Sequence, residues 1–440
     1  MNVFNLFTRL GGKHASSRRP INLFLLLIFI LPLLVSCQPK ASGQVSFMVF
    51  GDTAELAAYQ TLVDAFMAKY PEIDIELIHI PGQSDYRKRL AADVAAGTPA
   101  NVVLINYRRY AAFAAKGALE PLAPYLAKSE VIAESDFYPQ AIEPFYWNGQ
   151  LMCIPQNLSS LVVYYNQDLF DQAGLPYPAA GWTWDDFLKA AQVLTLDSNG
   201  DGVMEQLGLG TEASLFRLAP FVWQNGAEIV DDPAAPTRLA IETPEALEAV
   251  NFFVDLSVKY HVVPNAEEEA SQTSEDRFIN GTLAMFLNSR RGVPTYRESA
   301  NFNWDVAGLP QGKEQASILH SDAYCMTSPT EDKDAAWVFI EYANSVEGQT
   351  IISGTGRTVP SLISVAESPA FLDPNTRPAS NQVFLDAIPY LRAVPILPNW
   401  GDIEEISGEE IERAFYGQAS VNDAVIAAIR RAQPYFGFGE

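Results

Sequence analysis

The sequence predicts an α/β protein of the open-sheet type, with more chain than one ordinary domain uses. Three observations carry that expectation. Strand-like and helix-like patterns alternate from residue 45 onward, the order that builds a doubly wound sheet. The 440 residues exceed the usual size of a single hydrophobic core. Hydrophobic residues make up 48% of the chain and charged residues 19%, enough apolar material to fill two cores.

Residues 45–50 form a short apolar run of strand-type residues. Gly51-Asp52-Thr53 leads from it into a helical pattern with Tyr59, Leu62, Val63, Phe66 and Tyr70 on one face, stopped by Pro71. Residues 73–77 alternate apolar and acidic, which marks a strand. Tyr86, Leu90 and Val94 recur every four residues in a second helix that ends at Gly97. Residues 102–105 are too few and too β-branched for a helix, and another helix follows to Gly117. Beyond Pro155 come a strand at 161–165, several helices to about residue 260, a strand at 283–287, and helices at 335–343 and 421–432. Gly and Pro are dispersed along the chain, so no single linker divides it, and two lobes joined by several crossings fit this better than separate beads. In open α/β sheets ligands bind beyond the carboxyl ends of the strands, which singles out the loops at 50–53 and 106–109.

Composition removes several functions. The chain carries 29 basic and 53 acidic residues, a net charge of −24. Arg9, Lys13, Arg18 and Arg19 all precede residue 37, and the remainder holds 25 basic against 53 acidic residues, or −28. A body that acidic, with no basic stripe, repels phosphate backbones, so no nucleic-acid partner is expected. The chain has no Gly-x-Ser-x-Gly elbow, no His-Glu-x-x-His helix and no P-loop, and four histidines leave little room for imidazole chemistry. A glycosidase needs two suitably spaced carboxylates, and nothing singles out a pair among 53. Binding without turnover is the expectation, with a lipid-anchored carbohydrate-active enzyme as the rival.

Residues 1–20 are basic and polar and residues 21–35 almost wholly apolar. As a helix that run spans about 22 Å, short of the ~30 Å hydrocarbon core, so it reads as an export signal. Leu34-Val35-Ser36-Cys37 resembles the lipobox of bacterial lipoproteins, which implies cleavage before Cys37, its lipidation, and attachment to the outer face of the cell membrane. Residues 37–44 then form a tether. Cys153 and Cys325 remain, and a disulfide and two buried thiols are both open. Asp197-Ser-Asn199-Gly-Asp201-Gly matches the opening of an EF-hand loop. Gly208 stands where the bidentate Glu belongs, so Asp197, Asn199 and Asp201 are at most an incomplete calcium set, and no cofactor is expected.

Five segments carry a family resemblance: WNGQLMCIP at 147–155 with LVVYYNQDLF at 161–170, GWTWDDF at 181–187, FINGTLAM at 278–285, and KDAAWVFIEY at 333–342. In that order they resemble the bacterial extracellular solute-binding proteins of family 1, the maltose-binding-like receptors of carbohydrate ABC importers. The resemblance implies a two-lobe periplasmic-binding-protein-like α/β fold with three crossover hinge strands and a ligand cleft between the lobes. It implies a signal at 1–36, a tether at 37–44, lobe one from 45–156 plus about 326–378, and lobe two from 157–323 plus about 379–440. A monomer that closes on one solute and delivers it to permease subunits is expected, touching the membrane only through its lipid.

Carried onto this sequence, the resemblance puts Phe50, Asp52 and Thr53 in the loop after the first strand, and Asn106, Tyr107 and Arg108 after the third. Asp52 or Thr53 can equally cap the following helix. Asn157 and Ser159 follow the first crossover, Asn288, Ser289 and Arg290 follow another strand, and Ser321 and Asp322 precede the returning hinge strand. Trp400 is the expected sugar-stacking aromatic, with Trp223 a second candidate against a core role. Cys153 and Cys325 fall on two hinge strands, where neighbouring strands would let them pair. A neutral mono- or oligosaccharide is the first expectation. The arginines at 108, 109, 290 and 291 make an anionic solute, such as a sugar acid or glycerol phosphate ester, the alternative.

Overall fold

A computed structural model describes residues 43–437. The signal segment, Cys37 and most of the tether lie outside the described residues. Gly43 and Gln44, read from the sequence as the end of the tether, are instead the first residues of a strand. Among the described residues no helix is long and apolar enough to cross a membrane.

In chain order, β1 (Gly43–Phe50) leads into α1 (Thr53–Lys69), β2 (Ile73–Ile80), α2 (Gln83–Ala96), β3 (Val102–Asn106) and α3 (Tyr107–Ala114). After an irregular stretch, β4 (Cys153–Pro155) and β5 (Val162–Asn166) follow closely, then α4 (Trp184–Val193), β6 (Leu207–Gly210), α5 (Leu215–Gln224) and α6 (Pro244–Val258). The chain continues through β7 (Leu283–Asn288), β8 (Trp304–Ala307), β9 (Ser317–Ile318), β10 (Asp322–Met326) and α7 (Lys333–Ala343). It ends with β11 (Leu391–Arg392), α8 (Trp400–Phe415) and α9 (Val421–Ala432).

Two sheets organise these elements. The first has the order β2-β1-β3-β10-β4, with β1 parallel to β2 and β3, and β10 antiparallel to both of its neighbours. The second has the order β8-β5-β7-β6, with only β6 and β7 parallel. Strands β1, β3, β5 and β7 are buried almost throughout, as expected where helices cover both faces. Helices α8 and α9 pack on one another and on α5 and α6, so the C-terminal helices belong with the second sheet.

The chain passes between the sheets three times, and the three crossings run side by side. Gln156 N–H donates to the Asp322 carbonyl (2.9 Å) and Leu158 N–H to the Val359 carbonyl (3.1 Å). Ser159 and His320 exchange both backbone bonds at 2.8 Å. A ribbon of three paired segments therefore joins the lobes, satisfying its own backbone where it is buried.

At the first-sheet end of this ribbon, Cys153 of β4 and Cys325 of β10 stand opposite each other and form a disulfide. It closes a loop 172 residues long that contains the whole second sheet. Substituting both by alanine should lower the unfolding free energy by about 2–4 kcal/mol. Denaturant unfolding checks this, together with a thiol titration of the unreduced, denatured chain in which these two cysteines stay unreactive. Two reactive thiols at these positions would contradict the pairing.

Candidate functional site

A cleft of about 590 Å³ lies over the crossover ribbon and is lined from both lobes. Its floor is the ribbon itself: Gln156, Asn157 and Ser159 from the first crossing, His320 and Asp322 from the second, Arg357 and Thr358 from the third. Strand ends supply the walls. Phe50 ends β1, Asn106 ends β3, Asn288 ends β7, and Ser289 and Arg291 follow it. The loop after β6 contributes Glu212 and Ser214, and α5 contributes Phe216 and Arg217. Helix α8 closes the far side with Glu404, Glu405, Glu409 and Glu412.

Short local motifs hold these groups in place. Asn106 caps α3: its Oδ1 accepts from the Arg108 N–H (3.2 Å) and Arg108 Nε (3.1 Å), while its Nδ2 donates to Asp322 Oδ1 (3.0 Å). The Asp322 N–H donates to Asn157 Oδ1 (3.3 Å), tying two crossings together inside the cleft. Burial raises the Asp322 pKa above the usual carboxylate value, with the Asn106 bond opposing it. On the second lobe, Asn288 Nδ2 donates to the Tyr296 hydroxyl (2.8 Å) and its Oδ1 accepts from the Ser289 N–H (2.9 Å).

The two lobes also meet directly across the cleft. Arg108 Nη1 and Arg109 Nη2 from α3 both donate to Glu404 Oε1 of α8, at 2.6 and 3.0 Å. The Arg108 guanidinium lies 3.8 Å from the centre of the Phe216 ring on α5. Glu404 Oε2 is buried with no hydrogen-bond partner among the described residues.

Of the residues expected from the sequence, Phe50, Asn106, Arg108, Asn157, Ser159, Asn288, Ser289 and Asp322 are brought together in this cleft, and Arg109 joins them. Six others are placed elsewhere. Asp52 and Thr53 are exposed and outside the lining. Asp52 caps α1, with its Oδ1 accepting from the Glu55 N–H (2.9 Å) and its own N–H donating to Glu55 Oε2 (3.0 Å). Gly51, at φ +127°, makes that turn where an added Cβ would overlap the Glu55 carboxylate, which itself ion-pairs with Arg357. Tyr107 is wholly buried, its hydroxyl accepting from the Val394 N–H (3.3 Å). Arg290 points away from the cleft, between Phe371 and Phe384 and onto Asn381 Oδ1 (2.5 Å), where burial lowers its pKa to about 9. Its neighbour Arg291 is the one that faces the cleft.

Both candidate stacking tryptophans are core residues. Trp223 lies under Arg392, and Trp400 is fully buried at the start of α8. The reason is the helical repeat: Trp400, Ile403, Ser407, Ile411 and Ala414 form the inward stripe, which turns Glu404, Glu405, Glu409 and Glu412 toward the cleft. That stripe is legible in the sequence and would have found the acidic wall. Arg217 carried no such signal, since α5 is apolar around it and buried on every side. The Asp197 loop is a self-contained turn in which Asp197 accepts from the Gly200 (2.6 Å) and Gly202 (2.8 Å) N–H groups. Carboxylate oxygens of Asp201 and Glu205, both exposed, lie within 4.8 Å of those of the partly buried Asp197, and all three residues are outside the cleft.

Two interdigitated lobes, a three-stranded ribbon between them and a polar cleft at the strand ends define a binding protein of the two-lobe periplasmic class. The chain belongs to the family described as bacterial extracellular solute-binding protein, whose profile matches residues 51–350. A mannitol-binding protein of Pseudomonas aeruginosa is 24% identical over 347 residues, covering 77% of this chain and 75% of that one. An ABC substrate-binding protein of Listeria monocytogenes, solved with cycloalternan, superposes with a TM-score of 0.83 at 24% identity, over 90% of this chain and all of that one. UgpB of Mycobacterium tuberculosis, solved with glycerophosphocholine, gives 0.77 at 21% identity over 90% and 98%. Membership places the chain among extracellular solute-binding proteins, receptors that bind rather than catalyse.

One floor residue has a readable titration. His320 Nδ1 donates to the Ile318 carbonyl (3.3 Å), so Nε2 accepts from Arg217 Nη1 (3.1 Å) and the ring is neutral. Burial first, then Arg217, Arg108 and Arg291, hold its pKa well below 6.5. Above that pH the ring is neutral folded or unfolded; below it only the unfolded chain takes the proton, so folding stability falls as the pH drops. NMR of the ring carbons should show no titration of His320 near 6.5 in the native protein, and a midpoint there would contradict the assignment.

Proposed function

We propose that this protein captures one small polyhydroxylated solute, a sugar or polyol, by closing its lobes, and that the closed form presents the solute to an ABC importer in the membrane. The observation that carries the solute class is Glu404 Oε2, a buried acceptor at the cleft with no donor of its own. Leaving such an oxygen unpaired is costly, and a solute hydroxyl supplies the missing donor. The same cleft is lined by the amides of Asn106, Asn157 and Asn288 and the hydroxyls of Ser159 and Ser289. A hydroxyl group both donates and accepts, so a ring of such groups matches a polyol better than an apolar solute.

Closure follows from where these groups sit. Asn106 and Arg108 ride on the first lobe, Asn288, Ser289 and Glu404 on the second, and only the closed arrangement lets one solute touch both. Lipidation at Cys37, expected from the sequence, would fit this reading by holding the receptor beside the importer while leaving the lobes free.

Thermal unfolding against a panel of monosaccharides, oligosaccharides and polyols tests the reading. A solute at 100 times its Kd should add about 2.7 kcal/mol to the unfolding free energy. Glu404→Gln should reduce that gain for the same solute. No stabilisation by any hydroxylated solute, or slow cleavage of an added polysaccharide, would overturn the proposal.

A further inference from the structure

Resting on that reading of the cleft, we infer that the solute carries an oxyanion, a phosphate ester or a carboxylate, and that Arg217, Arg291 and the N-terminus of α5 form its subsite. Arg217 is 5% exposed yet lines the cleft, and its Nε is buried with no hydrogen-bond partner among the described residues. A guanidinium desolvated to that degree and left with an idle donor is costly unless something accepts from it. Its Nη groups meet one neutral ring and one rim carboxylate, and the guanidinium lies 5.9 Å from the Phe216 ring centre. Nη1 donates to the neutral His320 ring, and Nη2 reaches Glu212 Oε2 at 3.3 Å. The Glu212 side chain is 65% exposed at the rim, so solvent competes for its carboxylate and weakens its hold on the buried guanidinium.

Arg291 is the second free group. It faces the cleft, and among the described residues it has no carboxylate within 4.0 Å and no side-chain hydrogen bond. Arg108 is different, since Glu404 already neutralises it. All three guanidiniums bear electrostatically on Glu212 and His320, which shows that they converge on one corner of the cleft.

The backbone adds to that field. Helix α5 starts in this corner with Ser214 as its cap, whose Oγ accepts from the Arg217 N–H (3.2 Å). The N–H groups of Leu215 and Phe216 precede any helical acceptor, and the positive end of the helix dipole faces the cleft there. A buried guanidinium, an exposed one and free helical amides make a ready receptor for a group with two or three equivalent oxygens. Helix α8 packs on α5, and its Glu404 offers an acceptor for the solute's hydroxyls beside the oxyanion.

Inorganic phosphate, needing no knowledge of the solute, tests this directly. Phosphate and sulfate should raise the thermal unfolding temperature above chloride at equal ionic strength, and should shift the Arg217 Nε–H resonance in a ¹⁵N spectrum. Arg291→Gln, an exposed substitution that leaves the core intact, should weaken phosphate binding about tenfold. Arg217→Gln should abolish it, with circular dichroism confirming the fold. No difference between phosphate and chloride, or equal phosphate affinity in Arg291→Gln, overturns the subsite. If neutral polyols still stabilise the protein in that case, the cleft reading stands and only the oxyanion is wrong; if they do not, both readings fail.

Discussion

The pairing of three chain crossings into one hydrogen-bonded ribbon is the constraint from which the rest of the structure follows. Three isolated linkers would each need solvent for their backbone groups and would let the lobes drift. Bonded to each other, as at Ser159 and His320, they can be buried and can carry side chains at fixed positions. The same ribbon that joins the lobes is therefore the floor of the cleft, and Asn157, Ser159, His320 and Asp322 sit on it by construction. The Cys153–Cys325 disulfide holds the first-sheet end of two crossings together.

Electrostatics inside the cleft are separated rather than averaged. Arg108 and Arg109 share Glu404, Arg357 is matched by the buried Glu55, and Arg217 and Arg291 are left with the exposed Glu212 or with nothing. Each matched pair resists solvent competition because it is partly or wholly buried. The unmatched donors and the idle oxygen of Glu404 lie within the same space, so the cleft is incomplete in both directions of hydrogen bonding. In a chain with a net charge of −24, unneutralised arginines at a desolvated site are a local exception to the overall field.

Much of the fold was legible because strand and helix periodicities are local. β1, β2, β3, β5 and β7 lie where alternation and β-branching put them, within a few residues. The rule that ligands gather at strand ends led to Asn106, and the family resemblance led to Asn157, Asn288 and Asp322. What could not be read were choices made by packing. Nothing local distinguishes Arg290 from Arg291, and only the pocket between Phe371 and Phe384 decides which one is buried. Trp400 invited a stacking role by chemistry, but its place in the α8 stripe commits it to the core. Arg217 is a cation inside an apolar helix, and its direction depends on His320 and Glu212, more than a hundred residues away and next door respectively.

The central claim is that one solute is held by both lobes at once. Spin labels at Gln60→Cys on α1 and Ile426→Cys on α9, both exposed, would report the inter-lobe distance by pulsed electron resonance. On adding a solute that stabilises the protein, the account predicts a shorter and narrower distance distribution. A distribution unchanged by a solute that demonstrably binds would show that the lobes do not close on it, and would contradict the account.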